Sequence, residues 1–215
     1  MYSKTINEKI GIIGFGATGQ EIYKKISKKA INGYQVIGIF SDDISLKKLP
    51  KNIKCNSLDE LLKKKPRIII EAASVQACKK YLEKILRNNI DFVCLSVCSF
   101  ADKAFYYKII ELTKKKNNKV YIPSGAISGL DAIASASISN ELKNVRLIQR
   151  KPPKALLSDL ESKKVKKEKV LLKSTARKVC TSFPKNSNIA ATLSIVGVGF
   201  DKTKVIVIAD PKVKK

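Results

Sequence analysis

From Lys9 to Pro123 short β-rich runs alternate with amphipathic stretches of helical period, and few folds accommodate that rhythm. It is the pattern of βαβ units, in which parallel strands are joined by crossover helices. The expected strands are Ile10–Ile13, Val36–Phe40, Ile68–Glu71, Phe92–Ser96 and Val120–Ile122. Helix starts lie between them. Ser57 with Glu60 forms an S-x-x-E capping box ahead of Leu61 and Leu62, and Asp102 can cap a helix running through Tyr106, Ile109 and Ile110.

Within the first of these units, "IGIIGFGATGQEI" places Gly14, Gly16 and Gly19 in a G-x-G-x-x-G between strand and helix. Gly14 permits the tight turn, and Gly16 lets the backbone approach a pyrophosphate. Gly19 lets helix and strand pack closely, with Ala17 and Thr18 in the first helical turn. The flanking strand, the helix and the later alternations give the motif its required context, so dinucleotide binding is expected. An acidic residue about 20 positions on would hold the adenosine ribose of NAD. Here "IFSDD" offers Ser41 at the strand end and Asp42 and Asp43 just after it. Ser41 leaves room for a 2′-phosphate that Lys47 or Lys48 can neutralise, so NAD and NADP both stay open.

After Pro123 the rhythm changes. A helix is expected over Asp131–Leu142, a strand over Val145–Gln149, and a break at Pro152 and Pro153 before a charged stretch. Then follow a strand at Val170–Lys173, helices near Ala176–Thr181 and Asn188–Val196, and a last strand at Val205–Ile208. The expected class is therefore α/β: an N-terminal Rossmann-type, doubly wound parallel sheet over 1–123, plus a smaller and incomplete α+β domain over 124–215.

A chain of 215 residues can bury one good core or two modest ones. No apolar run reaches the roughly 18 residues of a membrane span. Met1–Lys9 lacks the apolar stretch of a secretory signal, so a cytoplasmic location is expected. The five cysteines (Cys55, Cys78, Cys94, Cys98 and Cys180) form no C-x-x-C pair. With no histidine in the sequence the usual zinc sets cannot be built, and no metal is expected. The net charge of +25 would suit a polyanion, but the excess is lysine in short runs and only five residues are arginine. Base readout favours arginine, so nucleic acid is not the expected partner.

Four further stretches call for more than packing: "EAASVQA", "LSVCSFAD" and "PSGAISGLDAI", each ending an expected strand, and the later "FPKNSNIAATL". In this order, with "RKPP" at Arg150–Pro153, they resemble the L-aspartate dehydrogenase family, NAD(P)-dependent amino-acid dehydrogenases of NAD biosynthesis. The resemblance runs from Ile10 to Pro211. It implies cofactor contacts from Ala73 and Ser74 near the nicotinamide ribose, and from Ala126 and Asn188 at the nicotinamide. Ser74 and Asn188 can equally be helix caps, and Ala126 a close-packing position. For the two carboxylates of L-aspartate the candidates are Lys151, Ser124 and the backbone near Gly125, with Thr192 a lesser one. A homodimer is implied by the same analogy.

This sequence departs from the family in two places. Cys98 and Ser99 stand where the family has a small glycine–alanine pair. The strand-end "ADP" at Ala209–Pro211 is followed in the family by a catalytic histidine and a further segment, so the sequence reads as truncated before them, with Lys151 the weak substitute acid or base. The readings that compete are a homoserine- or semialdehyde-type dehydrogenase, a dihydrodipicolinate reductase, a nucleotide-binding remnant without turnover, and a basic nucleic-acid binder.

Overall fold

The computed structural model describes residues 8–42, 46 and 49–213. It divides into two compact units: Met1–Ser96 with Ala104–Pro123, and Val97–Lys103 with Ser124–Lys215. The segment 97–103 groups with the second unit although the sequence after it returns to the first.

In the first unit, in chain order, are β1 (Glu8–Ile13), α1 (Ala17–Ser27), β2 (Tyr34–Phe40), β3 (Lys54–Cys55), α2 (Leu58–Lys63), β4 (Ile68–Glu71), α3 (Val75–Arg87) and β5 (Asp91–Cys94). After the 3-10 turn Val97–Ala101 come α4 (Lys103–Lys116) and β6 (Val120–Tyr121). The six strands form one sheet in the order β3-β2-β1-β4-β5-β6, and every pairing is parallel. The chain winds outward from β1 to β3, then returns beside β1 as β4. That reversal puts the carboxyl ends of β1 and β4 at the switch point where such sheets bind ligands.

The unit is held by apolar residues at the spacings its elements require. On α3 the buried residues are Cys78, Leu82, Ile85 and Leu86, one stripe of a helix. Ile12, Ile39, Ile69 and Phe92 are fully buried in four neighbouring strands. Leu61 of α2 sits over Gly11 and Gly38, which pair across β1 and β2. A Cβ on Gly38 would lie 2.5 Å from Leu61 Cδ1, so the two glycines make room for this helix.

The second unit contains α5 (Leu130–Ile138), β7 (Arg146–Lys151), α6 (Pro153–Leu156), α7 (Asp159–Lys164), β8 (Lys169–Thr175), α8 (Ala176–Ser182), α9 (Asn188–Val196) and β9 (Lys204–Ala209). Its sheet runs β7-β9-β8, with β7 parallel and β8 antiparallel to the central β9. Val205, Val207 and Ala209 of β9 are fully buried, as are Ala190 and Ala191 of α9. On the sheet, Ile148 and Val170 are more than half exposed.

Arg177 ties this unit together. Its guanidinium donates to both carboxylate oxygens of Asp201 at 2.6 and 2.8 Å, donates to the carbonyl of Ala101, and lies over the Phe200 ring. The Asp201 pair is exposed and screened, so the carbonyl and ring contacts carry most of the effect. Arg177→Ala is expected to cost about 1–2 kcal/mol in urea unfolding. Arg177→Lys should recover less than half of that, because an ammonium lacks the planar fork.

The structure departs from the sequence-based elements at their ends. Strand β5 stops at Cys94, because the backbone and hydroxyl of Ser96 are turned toward the Glu71 carboxyl. Pro153 opens α6 where a break was expected, since a proline needs no N–H partner in a first helical turn. The charged stretch beyond contains α7, whose Ser158 and Glu161 form a full capping box. The box expected at Ser57 is only half made: Ser57 Oγ accepts from Glu60 N, but the Glu60 carboxylate accepts from Asn56 N.

Candidate active site

The glycine turn is fixed from two sides. Gly14 N donates to Phe40 O at 2.9 Å, and Ala72 N donates to Ile13 O at 2.8 Å. Gly14 has φ +89°, and a Cβ there would lie 2.6 Å from Ala72 O and 2.7 Å from Ala73 Cα. The turn can therefore form only with glycine at this position, lying directly on the end of β4. Gly19 is equally close to the turn, where a Cβ would lie 2.3 Å from Gly14 O. Gly16 differs. It precedes α1, and nothing lies within 4 Å of where its Cβ would be. Ala17 and Thr18 beside it are exposed. Open space before the free N–H groups of an 11-residue helix is what a bound diphosphate requires.

Ser41 is drawn into the same turn: its Oγ accepts from Phe15 N at 3.1 Å. Asp42 follows and is exposed, whereas Asp43, Lys47 and Lys48 lie outside the described residues. At the end of β4, Ala73 is exposed, and Ser74 caps α3 by accepting from Ala77 N at 3.1 Å. The first unit thus gathers Gly14–Gly19, Ser41, Ala73 and Ser74 at the carboxyl ends of β1, β2 and β4.

One residue in this cluster escaped the sequence reading. Glu71 closes β4 and is fully buried. Its Oε1 accepts from Ala73 N and Ser96 Oγ, both at 2.8 Å, and its Oε2 accepts from Ser96 N at 3.0 Å. Burial pushes its pKa up, and the bonds from Ala73, Ser96 and Ser74 oppose that shift. Cys78 and Cys94, with sulfurs 3.6 Å apart, lie beside it, all three ligand atoms falling within 4.8 Å of one another. Both carboxyl oxygens are already engaged by N–H and O–H donors, so the donor set suits a backbone clamp better than a metal ion. The visible signal was an acid ending an otherwise isoleucine strand, "IIIE".

In the second unit, Asn188 begins α9 and does not cap it. Its Oδ1 accepts from Cys98 N at 3.0 Å, which ties the Val97–Ala101 turn to the helix start. Ser124, Gly125 and Ala126 form an exposed loop. Gly125, at φ +66°, would place a Cβ 3.8 Å from Ile189, so this loop borders the same helix start. Lys151 ends β7 and donates from Nζ to Asn186 O at 2.6 Å. Burial pushes its pKa below the ordinary lysine value, opposed by the Cys98 thiol nearby. Thr192, one turn beyond Asn188, is 3% exposed and has little open surface. Cys98 and Ser99 are both buried. A hydrogen bond with Cys98 and burial push the Cys180 thiol far up, so it carries no thiolate chemistry near neutral pH. Arg150 pairs with Glu168, leaving Lys151 the more available cation of "RKPP".

A family model described as "Homoserine dehydrogenase, NAD binding domain" matches residues 14–123, and one described as "Aspartate dehydrogenase, C-terminal" matches 131–215. An L-aspartate dehydrogenase of Methanosarcina barkeri is 35% identical, over 96% of this chain and 80% of its own length. This chain belongs to the L-aspartate dehydrogenase family. The L-aspartate dehydrogenase of Methanocaldococcus jannaschii is 34% identical over 96% of the chain and 79% of its own length. The aspartate dehydrogenase structure of Thermotoga maritima superposes with a TM-score of 0.74 at 30% identity, covering 97% of this chain and 81% of that one. A D-galactose-1-dehydrogenase from Rhizobium etli, at 11% identity and a TM-score of 0.57, shares the fold alone. The second family model decides between the dehydrogenase readings, because the nucleotide-binding half by itself is shared with homoserine dehydrogenase.

Proposed function

We propose that this chain binds NAD or NADP at the glycine turn and oxidises L-aspartate to iminoaspartate, which hydrolyses to oxaloacetate and ammonia. The observation that carries the cofactor half is the open space at Gly16, framed by Gly14 and the end of β4. The substrate half is supported by membership of a family whose relatives are named for L-aspartate.

A bound nicotinamide would supply the acceptor for the substrate α-hydrogen as hydride, and the proton lost from the substrate ammonium as the C=N bond forms would pass to solvent water. The protein supplies position and charge. On the turn that Gly14 shapes, Gly16, Ala17, Thr18 and Gly19 receive the diphosphate on backbone N–H groups, and Ser41 and Asp42 are assigned to the adenosine ribose. Ala73, Ser74, Ala126 and Asn188 are assigned to the nicotinamide end on the family resemblance. Asn188 has one oxygen committed to Cys98 N, which leaves its amide N–H groups to donate. Lys151 pairs with a substrate carboxylate, aided by Ser124 and the Gly125 backbone, and buried Thr192 shapes the wall.

The remaining proposals rest on the same family reading: a place in NAD biosynthesis, a cytoplasmic location, and a homodimer. No helix among the described residues is long and apolar enough to cross a membrane. The exposed Ile148 and Val170 on the β7-β9-β8 sheet offer apolar surface to a second copy. Calorimetric titration with NAD and NADP tests the cofactor half. Saturable one-site binding of either is expected, and binding of neither would refute it.

A further inference from the structure

We infer that Glu71 is a positioning residue for the nicotinamide half of the cofactor; this rests on the dinucleotide reading above. An acid in the middle of a parallel sheet is costly to bury unless its oxygens are hydrogen-bonded. An isoleucine, as at the three preceding positions, would fill β4 with no such demand. What a carboxylate does there, and an apolar residue cannot, is accept several backbone donors at once. Glu71 takes Ala73 N and both donors of Ser96, so one side chain fastens the loop after β4 to the loop after β5. The backbone adds a parallel tie, Leu95 N to Glu71 O at 3.2 Å.

The loop held in this way carries Ala73, which is exposed, and Ser74 at the end of β4. Beneath the carboxyl, Cys78 and Cys94 are fully buried and fill the space with weak donors. Glu71 itself has no exposed surface from which to reach a ligand. It acts through Ala73 and Ser74, whose assigned contact is the nicotinamide ribose. The adenosine and diphosphate contacts lie instead on Ser41, Asp42 and the first turn of α1. The two halves of the dinucleotide should therefore respond differently to its loss.

The test is calorimetric binding of NAD, NADP and ADP to the full chain and to the variants Glu71→Gln and Ser96→Ala. ADP carries the adenosine and diphosphate but no nicotinamide ribose. Glu71→Gln keeps the shape but turns one acceptor into a donor facing the N–H of Ala73 or of Ser96. It should weaken the preferred dinucleotide about tenfold while leaving ADP within about twofold. Ser96→Ala removes a single bond and should weaken the dinucleotide by about two- to fivefold, again sparing ADP. An equal loss for dinucleotide and ADP would overturn the inference by showing a general structural role, and so would no loss for either. Should Glu71→Gln not fold, Ser96→Ala decides alone by the same comparison. Wild-type protein that bound neither probe would overturn the cofactor reading, and this inference with it, before any variant was compared.

Discussion

Gly14→Ala should abolish dinucleotide binding and destabilise the first unit by about 3 kcal/mol or more, whereas Gly16→Ala should leave stability within about 1 kcal/mol of wild type. The two glycines stand two residues apart in one motif, yet the structure gives them different duties. A side chain at Gly14 meets backbone on both counts: φ +89° is glycine territory, and the Cβ would overlap Ala72 O and Ala73 Cα. Backbone cannot move aside as a side chain can, so the turn itself must open. Gly16, at φ −68° and ψ −167°, is in a region any residue adopts, and its Cβ would point into open space. That space matters only when a diphosphate fills it. Gly16→Ala should therefore lower dinucleotide affinity by about 10- to 100-fold, the weight of one methyl group in van der Waals overlap with the ligand. Thermal unfolding of both variants, paired with calorimetric titration, separates the effects. Undiminished binding by Gly16→Ala would show that the diphosphate lies elsewhere.

Lys151→Met should reduce kcat/KM for L-aspartate by about 100-fold while leaving dinucleotide affinity within about twofold. Methionine keeps the length and apolar bulk of the stem and removes the charge. The pH dependence gives a second readout. Burial lowers the Lys151 pKa, so the folded chain releases this proton at a lower pH than the unfolded chain. Between the two values the unfolded state holds more protons, and the contribution of Lys151 to stability rises with pH through that window. Substrate affinity runs the opposite way, because a carboxylate needs the ammonium. KM for L-aspartate should therefore rise as pH climbs through the lowered Lys151 value, below the ordinary lysine range, and in Lys151→Met this step should be absent. An unchanged KM profile in the variant would transfer the role to the Ser124–Ala126 loop.

The first unit was legible in the sequence because its signals are local. Gly14, Gly16 and Gly19 lie in one run, the strand at Ile68–Glu71 is found at its expected bounds, and the α3 stripe repeats at helical spacing. What escaped depends on partners distant in sequence. Glu71 and Ser96 are 25 residues apart, and Asn188 and Cys98 are 90 apart, so no window of sequence displays either bond. Asn188 reads in sequence as a cofactor contact, with a helix cap as the alternative because it precedes an apolar run. The structure gives its side chain to another segment. In the second unit α7 was hidden inside the charged stretch after Pro153, since solvated charge and a short surface helix leave the same composition. Two-residue strands such as β3 are set by the edge of an existing sheet, not by their own residues.

The most direct measurement is nucleotide reduction by this chain with L-aspartate and, separately, with L-homoserine, using NAD and NADP in turn and Gly16→Ala as the control. The expected result is reduced nucleotide with L-aspartate, with one cofactor preferred, a much slower rate in Gly16→Ala, and none with L-homoserine. Reduction driven by L-homoserine and not by L-aspartate would contradict the assignment of this chain as an aspartate dehydrogenase.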